Sequence, residues 1–115
     1  MLLEWSTIEA KLVDAEHYWL TTVTLSATPL ARPVDGMWLD GGLYFGGHER
    51  SRWLRNLRAN GAASVNLENA ESAVIIEGGV TFPMVDRPLA ERVAAAANAK
   101  YDFQQTAQMY LDNLP

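Results

Sequence analysis

A chain of 115 residues, 49% hydrophobic and 20% charged, has the size and composition of one globular domain with a single core. It has no cysteine, which removes disulfides, thiolate nucleophiles and Cys-based metal sites, and its net charge of −5 has the wrong sign for general binding to nucleic acid. No apolar run approaches the roughly 20 residues of a membrane span, and the opening "MLLEWSTIEAKL" lacks the basic start and cleavage site of a secretory signal, so a cytoplasmic location is expected.

The first predicted element is a short amphipathic helix over "STIEAKLVDA". Ser6 stands three residues before Glu9 as in a capping box, and Ile8, Leu12 and Val13 recur at helical spacing. "HYWLTTVTL", rich in β-branched and aromatic residues, predicts a strand. "SATP" predicts a turn supplied by Pro29, and "LARPVDGMWL" resumes one extended run in which Pro33 favours an edge. "DGG" then turns into "LYFGG", so these two runs should form a hairpin.

A helix is expected from about Ser51 to Asn60, with Gly61 as its C-terminal cap. "AASVNLE" is a strand and "NAES" a turn. "AVIIEGGVTF" is a longer strand with a bulge or tight bend at its two glycines. "DRPLAERVAAAANAKY" is the clearest helix, with Asp86 as cap and Pro88 in its first turn, and "DFQQTAQMYLDNLP" reads as a short final helix. Short strands joined by hairpin-type turns predict an antiparallel sheet or barrel with helices packed outside, a single domain over residues 1–115. Five strands leave such a barrel incomplete, so either a partner subunit covers the open edge or a C-terminal strand is lacking.

Few chemistries fit the remaining residues. His17 and His48 have no ligand-spaced neighbours, no G-x-S-x-G elbow occurs, and the glycines of "GGLYFGG" match neither nucleotide-loop pattern. What stands out is a cluster of arginines: Arg50, Arg52, Arg55 and Arg58 are four of the nine basic residues. Three of them open a helix whose positive end disfavours cations. Ser51 is a good N-cap residue, and the unpaired amides after it, flanked by Arg50 and Arg52, make an anion site that Arg32 can approach from the sheet. The alternative is a solvated face whose arginines pair with Glu49, Glu68 or Glu71. Trp19, Trp38, Tyr44 and Phe45 read as core aromatics, while Trp53 lies between the arginines and either joins the core or packs on a flat ligand.

The linked pieces "ARPV", "LYFG" leading into "SRWLRNLRAN", and "VIIEG", in this order between about Glu16 and Val80, resemble the pyridoxamine 5′-phosphate oxidase-like proteins, the flavin-binding split-barrel family. The resemblance implies a mainly β fold with helices, an antiparallel split β-barrel of six strands. It also implies a homodimer with the cofactor at the interface and a small organic substrate. The implied cofactor is FMN, with the deazaflavin F420 as the alternative. Arg32, Ser51 and Arg52 would hold its phosphate, with Arg55 or Arg50 substituting for the lysine that many relatives carry where this chain has Trp53. Many relatives also place threonine or asparagine at the position of Gly47. Val34, Met37 and Trp38 would lie along the ring, and Tyr44 or Trp53 would wall it. The implied activity is hydride or electron transfer to or from a small organic substrate. A non-enzymatic flavin, F420 or haem carrier on the same barrel is the alternative.

Overall fold

The computed structural model describes residues 4–46 and 50–112. Helix α1 (Trp5–Asp14) leads into strands β1 (Tyr18–Val23), β2 (Pro29–Val34), β3 (Gly36–Leu39) and β4 (Gly42–Phe45). Helix α2 (Arg52–Ala59) is followed by β5 (Ala62–Asn66), β6 (Ile75–Gly79), α3 (Arg87–Tyr101) and α4 (Ala107–Asp112). Four strands form one antiparallel sheet in the order β2-β1-β5-β6, and β3 and β4 form a separate hairpin. The architecture is mainly antiparallel β with helices, and among the described residues the two sheets do not close into a barrel.

The core grows from the alternation along β1. Tyr18, Leu20 and Thr22 are buried, while Trp19 between them is 40% exposed. Residues directly opposite one another share a sheet face, so Val34, paired with Tyr18, and Val65, paired with Leu20, join the same layer. Leu12 of α1, Leu57 of α2 and Val74 complete the cluster. Helix α3 lies on β3 and buries Ala90, Ala94 and Ala97 along one side. Its start matches expectation: Asp86 accepts from the Leu89 amide at 2.9 Å, and Pro88 sits in the first turn.

Several local expectations are corrected. The run Leu30–Leu39 is not one strand, because it breaks at Asp35 into β2 and β3, which belong to different sheets; the described residues therefore hold six strands rather than five. Val34 packs with Tyr18, whereas Met37 stands opposite Tyr44, so the run's apolar residues serve two partners that no straight strand reaches together. The capping box does not form. α1 begins at Trp5, Ser6 lies inside it, and Glu9 accepts from Trp38 Nε1 at 2.9 Å. Pro29 opens β2 instead of making the turn, which is closed by the Thr24 amide donating to Thr28 O at 2.9 Å and has Ala27 at φ 63°.

Gly78 and Gly79 pair in unbroken register with Ala63 and Ala62, so β6 carries no bulge, and it ends at Gly79 instead of running on to Phe82. Pro33 does sit on an edge strand, since among the described residues β2 has only β1 beside it.

Gly61 is no left-handed cap either; the helix ends at Asn60 with extended backbone. Glycine is required there for space, because a Cβ would stand 2.7 Å from Val80 O, in the stretch where the Val80 amide bonds Gly61 O at 2.7 Å. Gly61→Ala should therefore destabilise the fold by about 1–3 kcal/mol, the usual cost of forcing a methyl into packed backbone. Urea unfolding of the two proteins measures it, and equal midpoints would show that the Gly61–Val80 contact yields freely.

Candidate functional site

Helix α2 is fixed on the sheet by two side chains. Leu57 is buried in the core, and Asn56 Nδ2 donates to Thr22 Oγ1 of β1 at 3.1 Å. With those two anchored, Arg52, Arg55, Asn56 and Ala59, at i, i+3, i+4 and i+7, share one side of the helix. That side faces Thr24, Leu25 and Ser26 of the β1–β2 turn across a cleft of about 450 Å³. Leu25 is 94% exposed at its rim.

The start of α2 has the features of an anion site. Ser51 is the N-cap residue, with extended backbone, but its side chain makes no capping bond. The first helical bond runs from the Arg55 amide to Ser51 O at 3.1 Å, which leaves the amides of Arg52, Trp53 and Leu54 without partners inside the helix. Arg52 and Arg55 are exposed, and neither forms an ion pair with any described residue. Their expected alternative partner Glu68 lines a different cleft, beside Asn69 and Ser72, and Glu71 makes no ion pair with them. Glu49, the third alternative partner, lies outside the described residues, as do Gly47 and His48. Arg58 belongs elsewhere, its guanidinium lying 4.9 Å from the centroid of the Phe82 ring.

The remaining candidate residues divide. Arg32 stands opposite Leu20, so it shares the sheet face on which Thr22 holds α2, although its Nη1 donates to Ala31 O at 2.8 Å and it does not line the cleft. Val34 and Met37 are buried. Trp38 is engaged by Glu9 and meets Trp5 edge-on at 5.9 Å. Tyr44 is half-buried on β4, and Trp53 packs against Phe45 at 5.8 Å between ring centroids, on the core side of α2. The structure therefore gathers Ser51, Arg52 and Arg55, with Arg32 on the same sheet face. Val34, Met37 and Trp38 lie at the β2–β3 break and do not line the cleft; Val34 and Met37 are buried and Trp38 is held by Glu9.

Sequence reasoning missed Asn56 and the Thr24–Ser26 turn as parts of the cleft. Helical spacing from Arg52 would have found Asn56, but only the topology brings the turn alongside. It also missed a polar cluster beside β3. Lys100 Nζ donates to Gly36 O at 2.6 Å and to Tyr18 Oη at 3.0 Å, and Tyr18 donates to Leu12 O at 2.6 Å. Burial, with Tyr101 adding to it, pushes the Tyr18 phenol up to about 12. Burial also lowers Lys100 and raises Tyr101 and Tyr110.

The phenols make stability fall with alkaline pH. Folded protein keeps the Tyr18 proton from pH 10 to about 12 while unfolded chain releases it, so stability is lost as pH rises through that window. Lys100 acts oppositely below about 10.5, where unfolded chain holds more protons and rising pH favours folding. Tyr18→Phe should show a shallower loss of stability above pH 10, with Tyr101 and Tyr110 supplying what decline remains. Urea midpoints measured across pH 9–12 test this, and parallel curves for the two proteins would contradict it.

No protein-family model matches the chain, and no curated protein matches it in sequence. Solved structures do match in shape. An F420 reductase superposes with a TM-score of 0.68 at 22% identity, over 91% of this chain and 82% of that one. HutZ, a haem-storage protein from Vibrio cholerae, gives 0.71 at 18% identity over 88% and 77%. A candidate pyridoxamine 5′-phosphate oxidase from Listeria innocua gives 0.69 at 21% identity over 87% and 80%. The likeness shows the fold: this chain is built as the split-barrel proteins of the pyridoxamine 5′-phosphate oxidase-like type are.

Proposed function

We propose that the chain binds a phosphate-bearing flavin-type cofactor, FMN or alternatively F420, and works as an oxidoreductase on a small organic substrate. The observation that carries this reading is the start of α2. Two exposed arginines without ion-pair partners among the described residues line a cleft of about 450 Å³, on a helix whose start also offers the Ser51 hydroxyl, which makes no capping bond, and three amides without partners inside the helix. That volume lies within the roughly 300–1,000 Å³ of small-molecule sites. Guanidinium forks and helix-end amides are the donors that a phosphate takes.

In this reading Arg52, Arg55 and Ser51 bind the phosphate, with Arg32 approaching along the same sheet face. The backbone from Val34 to Trp38 orients the ring, and Tyr44 shields it from water. FMN or F420 would supply the hydride or electron transfer itself, which is why the protein's part is binding and orientation.

A homodimer is part of the same reading. The sheet face opposite the core carries Trp19, Val23, Pro29, Ala31, Pro33 and the 60% exposed Ile75, together with Thr21, Ser64, Asn66 and, as its one charged residue in the described strands, Glu77. Its apolar residues suit contact with a second copy. No described helix is long and apolar enough to cross a membrane, and we propose a cytoplasmic site of action.

Fluorescence titration with FMN and with F420 tests the reading. Saturable binding of one of them at micromolar level or tighter is expected. Arg52→Ala should weaken it by about 1.5–3 kcal/mol, or roughly 10- to 150-fold, the worth of a charge-assisted contact. Equal affinity in the variant would remove Arg52 from the site. The shape shared with a haem-storage protein favours a second reading, a carrier on the same fold. Steady turnover with a reduced nicotinamide or deazaflavin donor distinguishes the two, since a carrier gives none.

A further inference from the structure

The corner between β2 and β3 is held by the far end of the chain. The Gly36 amide donates to Tyr101 Oη at 2.9 Å, across 65 positions of sequence. Tyr101 Oη also lies 2.6 Å from Glu16 O and 3.0 Å from Gly36 O. A phenol has one proton, and the shorter contact takes it, so Tyr101 donates to Glu16 O. Gly36 O is supplied instead by Lys100 Nζ at 2.6 Å. The ammonium lies 4.6 Å from the centroid of the Tyr18 ring and 5.2 Å from that of Tyr101, within cation–π range of both.

Two consecutive residues at the end of α3 thus bind both backbone polar groups of Gly36. Among the described residues β3 has only β4 beside it, so these side chains supply bonds that a further strand would otherwise provide. Gly36 itself cannot be replaced by a bulkier residue to stiffen the corner, because a Cβ there would stand 2.9 Å from Tyr44 O and 3.2 Å from the Tyr18 ring. A glycine has wide backbone freedom unless something fixes it. Here Lys100 and Tyr101 do.

We propose that Lys100 and Tyr101 are positioning residues for the cofactor ring. They set the corner at Gly36, and with it the line of backbone from Val34 to Trp38 against which the ring is oriented. The proposal rests on the flavin-type reading above. It divides the site into two independent parts: α2 and its arginines hold the phosphate, whereas the end of α3 controls the ring. Neither Lys100 nor Tyr101 touches the ligand in this scheme.

The test uses four variants of the full chain: Tyr101→Phe, Lys100→Met, Lys100→Arg and Arg52→Ala. Three probes are used, namely FMN, F420 and inorganic phosphate. Tyr101→Phe and Lys100→Met should weaken binding of the ring cofactor about tenfold, the scale of one lost hydrogen bond to a charged or buried partner. They should shift the visible band of the bound ring and leave the affinity for inorganic phosphate unchanged. Lys100→Arg should restore the band, and Arg52→Ala should weaken phosphate and ring cofactor alike. Hydrogen exchange at Gly36 to Trp38 should quicken in Tyr101→Phe.

Unchanged ring affinity and an unchanged band in both α3 variants overturn the proposal. So does an equal loss of ring and phosphate binding, which marks general damage to the fold. If the native chain takes up phosphate but neither ring, the cofactor reading fails. Hydrogen exchange then decides the corner separately: faster exchange in Tyr101→Phe upholds the clamp, and unchanged exchange overturns it.

Discussion

The hydrogen bonds around Gly36 are the constraint on which the rest of the arrangement depends. At that residue the chain leaves the four-stranded sheet and starts a separate hairpin. Val34, just before the corner, packs beside Tyr18 in the main core, and Met37, just after it, is buried on β3, the strand that α3 covers. The corner costs the ladder two backbone bonds, and Lys100 and Tyr101 restore them from α3. Tyr18 links the same cluster to α1 by donating to Leu12 O, and Tyr101 donates to Glu16 O beyond that helix. Three stretches distant in sequence, residues 12–18, 34–37 and 100–101, thus meet around one glycine, and every buried side-chain polar atom among the described residues has a partner.

The charged side of the molecule is organised differently. Around Gly36 the polar groups satisfy one another, while along α2 they do not. Arg52 and Arg55 point into a cleft without a carboxylate partner among the described residues, in a chain with 14 acidic residues. Leu57 fills the core and Asn56, beside the arginines, ties α2 to Thr22, which leaves Arg52 and Arg55 exposed to the cleft. A helix that keeps cations at its positive end gains nothing from them in isolation. An anion bound across the Ser51 hydroxyl and the three free amides reverses that balance.

Much of this was legible in the sequence, wherever a local signal coincided with its physical cause. Asp86 and Pro88 mark the start of α3 because capping is a contact between near neighbours. Ser51–Arg52–Arg55 marks the start of α2, whereas Trp19, read as a core aromatic, is 40% exposed on the face of β1 away from Tyr18 and Leu20. What failed depended on contacts between distant segments. Ser6 and Glu9 have capping-box spacing, but Trp38, 29 residues away, claims the Glu9 carboxylate. Gly61 is expected as the C-terminal cap of α2, but Asn60 takes that place and Gly61 is a space-saving contact with Val80. The break at Asp35 is invisible locally, since "RPVDGMWL" is extended on both sides, and the partners that bend it lie in α3. Lys100 and Tyr101 look like an ordinary helix end until the topology sets them on Gly36.

The most direct test of a phosphate at the start of α2 is an amide NMR titration of the labelled chain with FMN and with F420. The amides of Arg52, Trp53 and Leu54 should move first and furthest, saturating together with the visible band of the ring, and the Gly36–Trp38 amides should follow at the same ligand ratio. Saturable binding that leaves those three amides in place, with shifts confined to the cleft around Glu68 and Ser72, would contradict it.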